Sequence, residues 1–366
     1  MPQTLLVNKN DFAEVALVSL NDEALEAGCV RVQIGPWALT ANNVTYMVTG
    51  DQIGYWKYFD PLAYGIQMDE SSGIKWGRMP VWGFADVIES RCEGVATGER
   101  LYGFFPMSDQ MDLRPVKLSA MGFQDGIEHR TKLHSVYNSY SFVDADPSLA
   151  VSEPLQPVLR PLFTTSFLIE DFLTENNFFG ADQVLLLSAS SKTALGTAFC
   201  LKQGGETSVT GLTAQCNKPF VSQTGFYDTV GTYDAIETLD PGLKTAVVDM
   251  AGNGKVMADV YAHFGENIVY NCMVGKSHWQ GGAPPKPVKG APAVMFFAPD
   301  RAKQRFSDWG AKGFAQNLGA RWMPFLGTAE NWLTIDKQRG IEPLLKSYKT
   351  LLEGDASPKT GHLFTL

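Results

Sequence analysis

Several kinds of chemistry are missing from this sequence, and each absence narrows what it can be. No apolar run approaches the roughly 18 residues that span a bilayer, so membrane insertion is not expected. Lysine and arginine number 30 against 39 acidic residues, for a formal charge of −9, and no basic stretch stands out. That excludes the phosphate-neutralising surface of a nucleic-acid binder. The five cysteines (Cys29, Cys92, Cys200, Cys216, Cys272) form no C-x2–4-C pair, and the five histidines are equally scattered. No metal site or disulfide framework is therefore expected. The opening stretch MPQTLLVNKNDFAEVALVSL has no positive segment ahead of a long apolar core, so the expectation is no secretion signal and a cytoplasmic location.

What is present reads as a packed α/β chain. At 366 residues it exceeds one ordinary core, so two domains are expected. Over the first 110 residues, runs such as CVRVQIGPWAL, MPVWGFADVIES and ERLYGFFPMS are rich in β-branched and aromatic residues and separated by turns, predicting a compact, mostly β domain. From about Leu162 the period lengthens. FTTSFLIEDFLTENNF has a helical apolar face, and QVLLL, SVTGLT, KTAVVDMAG and NIVYNCMVG are short continuous apolar runs between helical segments. Such runs fit parallel strands buried on both faces, hence a doubly wound sheet. A Pro/Gly-rich linker, GGAPPKPVKGAP at 281–292, precedes two helical stretches and a β-like tail. The expected organisation is a first domain over 1–155, a nucleotide-binding domain over 156–290, and a segment over 291–366 returning to the first domain.

The stretch LLLSASSKTALGTAFCLKQGG, Leu185 to Gly205, has the order of a dinucleotide-binding unit without its glycines. The first glycine of such a turn permits positive φ, the second lets backbone approach a pyrophosphate, and the third allows close helix packing. Ala194 meets the third demand and Ser191 can serve the second, whereas Ser188 carries a Cβ where positive φ is wanted. Helix-entrance amides bind anions whatever side chains they carry, and Lys192 and Thr193 add a charge and a hydroxyl there. Ser188, Ser190, Ser191, Lys192 and Thr193 are thus candidate cofactor ligands. The same residues also suit an ordinary strand-to-helix turn with serine as N-cap. About 20 residues on, where an acid would hold an NAD ribose, 208–213 contain none. Thr213, Asn217 and Lys218 would suit a ribose phosphate instead, which favours NADP(H) if a dinucleotide binds.

This order of parts resembles the medium-chain dehydrogenase/reductase superfamily, especially a little-characterised offshoot of its zinc-free quinone reductase-like branch. The segments carrying the resemblance are PVWGFADVIESRCEGVATGERLYGFFP, LLLSASSKTALGTAF, KTAVVDMAGN and NIVYNCMVG. It implies a GroES-like catalytic domain plus a Rossmann domain, with substrate beside the nicotinamide. Where zinc-dependent members carry a Cys and a G-H-E motif, this chain has Ala41 or Asn42 and Trp82, so the resemblance implies no catalytic zinc. Tyr46 matches a position that holds a cleft-facing His or Tyr, with Asn42 and Asn43 as neutral donors beside it. GYWKYF adds Tyr55, Trp56, Lys57 and Tyr58 on an expected loop. HSVYNSYSF adds Tyr137, whose alternation would set it on the face opposite Asn138 and Tyr140. Thr165 resembles the position at the start of a helix close to the nicotinamide. Gly275, Lys276 and His278 in MVGKSHW follow the strand end that passes it.

The expected function is a zinc-independent NADP(H)-dependent oxidoreductase reducing a carbonyl or activated C=C bond of a bulky small-molecule substrate, with Tyr46, Asn42, Tyr55, Lys57 and Tyr137 as candidate catalytic groups. A homodimer is expected through a free edge of the nucleotide-binding sheet. Two alternatives are a lyase or isomerase using Tyr and Lys without net redox change, and a nucleotide-binding protein without turnover.

Overall fold

A computed structural model describes residues 1–21, 23–67, 73–278, 282 and 289–366. It separates the chain into two compact units, Met1–Val158 with Ile335–Leu366, and Leu159–Thr334. Most of the linker expected at 281–292 lies outside the described residues.

The first unit is built from antiparallel strands. A small sheet joins β1 (Gln3–Asn8), β2 (Asp11–Ser19) and the short β4 (Trp76–Gly77). The larger sheet centres on β3 (Val30–Leu39), β5 (Pro80–Ser90) and β6 (Arg100–Pro106). β7 (Gln110–Leu113) pairs with β3, and β10 (Ser139–Phe142), β9 (Gly122–Asp125) and β8 (Pro115–Ser119) continue beyond β6. Alternation explains β3: Val30, Val32 and Ile34 enter the core while Arg31 and Gln33 stay half-buried. Gly83 on β5 lies so close to β3 that a Cβ there would come within 2.5 Å of the Trp37 Cβ. Between β3 and β5 run α1 (Ala41–Val48) and the single turn α2 (Gly50–Ile53), and α3 (Pro147–Ala150) follows β10.

The second unit opens within α4 (Gln156–Glu175) and contains six strands. These are β11 (Gln183–Leu187), β12 (Ser208–Thr213), β13 (Thr229–Thr232), β14 (Thr245–Asp249), β15 (Ile268–Met273) and β16 (Ala293–Met295). All pair in parallel, in the order β13-β12-β11-β14-β15-β16. Numbered within the sheet, that is 3-2-1-4-5-6, the Rossmann order, with its switch point between the first and fourth strands. β11 and β14 are buried at every residue, as strands covered on both faces must be. The connections include α5 (Lys192–Gly204), α6 (Lys218–Thr224) and α7 (Gly254–Phe264).

The expected return to the first domain at residue 291 is corrected. Residues 291–334 cluster with the second unit, and the chain rejoins the first only at Ile335. The cause is α8 (Ala298–Thr328), whose buried Arg301 and Arg305 both bind Asp171 of α4, at 2.7 and 2.8 Å. Further along, Phe325 stacks on Phe163 at 4.6 Å. β17 (Thr334–Arg339), α9 (Ile341–Glu353) and β18 (Thr360–Thr365) then complete the first unit, β18 pairing with β3. Among the described residues no helix is long and apolar enough to cross a membrane.

Candidate functional site

In the second unit, the turn after β11 takes the conformation that its sequence disfavours. Ser188 sits at φ +54, the left-handed region a glycine would occupy without strain. Two tyrosines hold it there. The Ser188 amide donates to the Tyr233 hydroxyl at 2.8 Å, and the Tyr227 hydroxyl donates to the Ala189 carbonyl at 2.8 Å. Tyr227 reaches that carbonyl across Gly211, where a Cβ would come within 2.7 Å of the Tyr227 ring and 2.9 Å of the Ala189 Cβ. Ser191 is the N-cap of α5, accepting from the Ala194 amide at 3.2 Å. Thr193 lies in the first turn of α5, the helix end whose remaining amides an anion can meet. Lys192 stands half-buried at this entrance, and burial brings its ammonium down to about 8.

The expected ribose-phosphate group is only partly assembled. The hydroxyl of Thr213 and the amide of Asn217 both donate to the Ser190 hydroxyl oxygen at 3.3 Å, so they brace the turn. Lys218 is exposed at the start of α6. Thr165 lies on α4 with its hydroxyl donating to the Pro161 carbonyl at 3.2 Å. Gly275 follows β15, and its carbonyl lies 2.8 Å from where a Cβ on Gly252 would stand, which keeps two loops at the carboxyl end of the sheet in close approach.

In the first unit, three expected tyrosines converge. Tyr46 projects from α1 with its ring centroid 4.5 Å from that of Tyr55, and the Tyr55 and Tyr137 hydroxyls are 3.1 Å apart. Phe104 packs edge-on to Tyr46 at 5.5 Å and against Tyr137 at 4.8 Å. The Trp82 indole N–H donates to the Tyr46 hydroxyl at 3.1 Å, and Asn42 lies one helical turn before Tyr46 on α1. Burial raises all three phenols: Tyr55 is pushed up to about 12, and Tyr46 and Tyr137 rise well above the ordinary tyrosine value. Near neutral pH they are un-ionised donors rather than bases.

Lys57 does not join them. GYWKYF is a tight 3-10 turn over Tyr55–Lys57, not an open loop, so Tyr55 and Trp56 turn inward and Lys57 stays exposed. Asn43 is structural, its amide donating to the Pro80 carbonyl at 2.9 Å. The strand expected across HSVYNSYSF covers only Ser139–Phe142, because residues Ser135–Asn138 form a 3-10 turn. The His134 ring caps that turn at the Val136 amide, and Arg130 binds its far end.

The sequence family now has an answer. A family model described as protein of unknown function, DUF2855, matches residues 37–357. The chain belongs to that family. No match is found among curated proteins. Solved structures similar to the chain include CurA from Vibrio vulnificus in complex with NADPH, 13% identical over 99% of this chain and 98% of that one, with a TM-score of 0.58. They also include the yhdH oxidoreductase from Salmonella enterica in complex with NADP (12% identity, 100% and 99% covered, TM-score 0.53). A third is the quinone oxidoreductase from Coxiella burnetii (14%, 100% and 99%, TM-score 0.53). The likeness to these oxidoreductase structures shows the fold, an antiparallel unit and a parallel unit in the Rossmann order, carried here by a DUF2855 member.

Several site residues of this DUF2855 chain escape a reading of its sequence. Tyr227 and Tyr233 lie some 40 residues beyond the turn they brace, and nothing local signals them. Asp249 is more legible, as the first polar residue after the apolar run TAVV. Buried at the end of β14, it accepts from the amides of Ala251 and Gly252 at 3.0 and 2.9 Å and shapes that loop. Burial raises its carboxyl above the ordinary value.

Proposed function

We propose that this protein is an NADP(H)-dependent oxidoreductase that reduces a carbonyl or activated C=C bond of a bulky organic substrate without a catalytic zinc. The observation that carries the reading is the turn after β11. It holds positive φ at Ser188, an N-capped helix entrance and Lys192 at the carboxyl end of a 3-2-1-4-5-6 sheet. These groups fit a diphosphate: the α5 first turn and Lys192 would hold its oxygens. Lys218 would serve a ribose phosphate, with Thr213 and Asn217 supporting through Ser190. NADP-bound neighbours of the same fold agree with this.

Bound NADPH supplies a hydride to carbon. The chain supplies the proton side: Tyr46, un-ionised, donates to the oxygen on which charge develops, and solvent restores its proton. Asn42 and the Tyr55–Tyr137 pair hold that phenol among neutral groups. Trp82, near the position of a zinc ligand in zinc-dependent relatives, directs its indole N–H to a phenol instead, which supports chemistry without zinc. A lyase or isomerase using Tyr and Lys would need Lys57 beside the phenols, and its exposure weighs against that reading.

The test is direct. Denaturing the purified protein releases any bound nucleotide for identification, and loss of the nicotinamide band is followed with NADPH and a panel of ketones, enones and quinones. Absence of both nucleotide binding and oxidation sinks the proposal.

Proton linkage gives a finer check. Lys192 titrates at about 8 in the folded protein and a diphosphate favours its ammonium form, so nucleotide binding draws in a proton at pH 8–9. Affinity falls as pH climbs through that range. Calorimetry in two buffers of different ionisation heat reads the uptake, which Lys192→Met abolishes.

Association is expected through β16, the edge of the parallel sheet, where Val294 is 47% and Met295 37% exposed. Val294→Lys is expected to convert a dimer to a monomer by light scattering. A wild-type monomer removes the dimer from the proposal.

A further inference from the structure

The Tyr46 hydroxyl has a constraint that its neighbours do not. An indole N–H can only donate, so in the 3.1 Å contact with Trp82 the Tyr46 oxygen is the acceptor. Trp82 itself has little freedom. It stands on β5 directly opposite Phe104 of β6, their rings 5.1 Å apart, and stacks on Tyr102 at 5.8 Å with planes 23° apart. Its indole is half-buried, and Tyr137 closes another side at 6.1 Å.

We propose that Trp82 is a positioning residue. Its indole N–H pins the Tyr46 oxygen as an acceptor and turns the hydroxyl proton toward a substrate oxygen. A phenol free to rotate spends part of its time donating elsewhere. One held by a donor-only partner presents its proton in a fixed direction, as charge stabilisation in a transition state requires. The substrate this arrangement fits is a planar, uncharged conjugated carbonyl, an enone or a quinone. Its oxygen accepts from Tyr46, and its flat face meets the half-buried indole of Trp82. No formal charge stands among these groups to pair with an ionic substituent. This inference rests on the reductase reading for the substrate, but not for the hydrogen bond.

The test uses the full-length protein. In 15N-labelled protein the Trp82 indole resonance is assigned by its loss in Trp82→Phe. Tyr46→Phe is expected to move it upfield, because its acceptor is gone. Trp82→Phe keeps a ring against Phe104 and Tyr102 while deleting the donor. It is expected to lower kcat for enone reduction roughly tenfold, the worth of one hydrogen bond, with KM for NADPH unchanged. In a Tyr46→Phe background the same change is expected to cost nothing more, since its partner is already absent. An indole resonance unmoved by Tyr46→Phe overturns the proposal, as does an equal loss from Trp82→Phe in both backgrounds. If the wild type oxidises NADPH with no carbonyl, enone or quinone, the reductase reading fails, and the indole resonance still decides whether Trp82 holds Tyr46.

Discussion

Tyr46→Phe is expected to lower kcat by about 100-fold, the usual worth of one positioned proton donor, while KM for NADPH changes little. The reasoning is subtractive. Phenylalanine keeps the ring that packs against Tyr55 at 4.5 Å and Phe104 at 5.5 Å, so the core of the first unit loses no volume. What disappears is one oxygen that accepts from Trp82 and is the proposed source of the proton. A lost hydrogen bond to a half-buried indole costs about 1 kcal/mol, too little to unfold a chain of this size. Activity and stability are therefore expected to separate: steady-state kinetics show the large fall, and thermal melting a small one. The nucleotide groups lie on the other unit, so NADPH affinity by calorimetry holds. A kcat within twofold of wild type, with the same substrate, removes Tyr46 from the chemistry.

What the sequence discloses divides along physical lines. Period and burial read directly: QVLLL is a strand buried on both faces because no polar residue interrupts it, and CVRVQI alternates because only one side of β3 is wholly buried. Contacts between distant side chains do not read. RAKQRFSDWGAKGFAQNL reads as a helix of the returning segment, yet Arg301 and Arg305 are buried because Asp171 and Glu175 neutralise them from α4, and this moves the boundary between units from 290 to 334. Ser188 looks like a defect in a nucleotide turn until Tyr233 is seen holding its amide. Lys57 looks catalytic beside two tyrosines, but a three-residue turn sends neighbours in opposite directions. Tyr46, Tyr55 and Tyr137 were nameable as candidates. The hydroxyl contact between Tyr55 and Tyr137 depends on the turn that Arg130 ties, and no motif marks that arginine.

That arginine carries the second large effect. Arg130 is fully buried and donates to Asp125 at 2.8 Å, the Asn138 side chain at 2.8 Å, the Tyr137 carbonyl at 2.8 Å and the Tyr140 hydroxyl at 3.1 Å. It thereby fixes the 3-10 turn from which Tyr137 reaches Tyr55. Asp125 spends its other oxygen on the amides of Arg114 and Ile127, so each partner is tied to backbone as well as to the other. Arg130→Met leaves a buried carboxylate without its cation and strips partners from the Tyr137 carbonyl and the Asn138 side chain. The expected loss is about 3–5 kcal/mol in urea unfolding, the cost of breaking a buried pair from one side. Asp125→Asn is expected to fall in the same range, stranding the guanidinium instead. The double variant is expected to lose less than the sum of the two, because neither charge is then left alone. Strict additivity would mean that the pair is not coupled and that the Tyr137 turn is held by packing. Where enough protein stays folded to assay, the single variants are also expected to lose turnover, since a displaced Tyr137 no longer meets the Tyr55 hydroxyl at 3.1 Å.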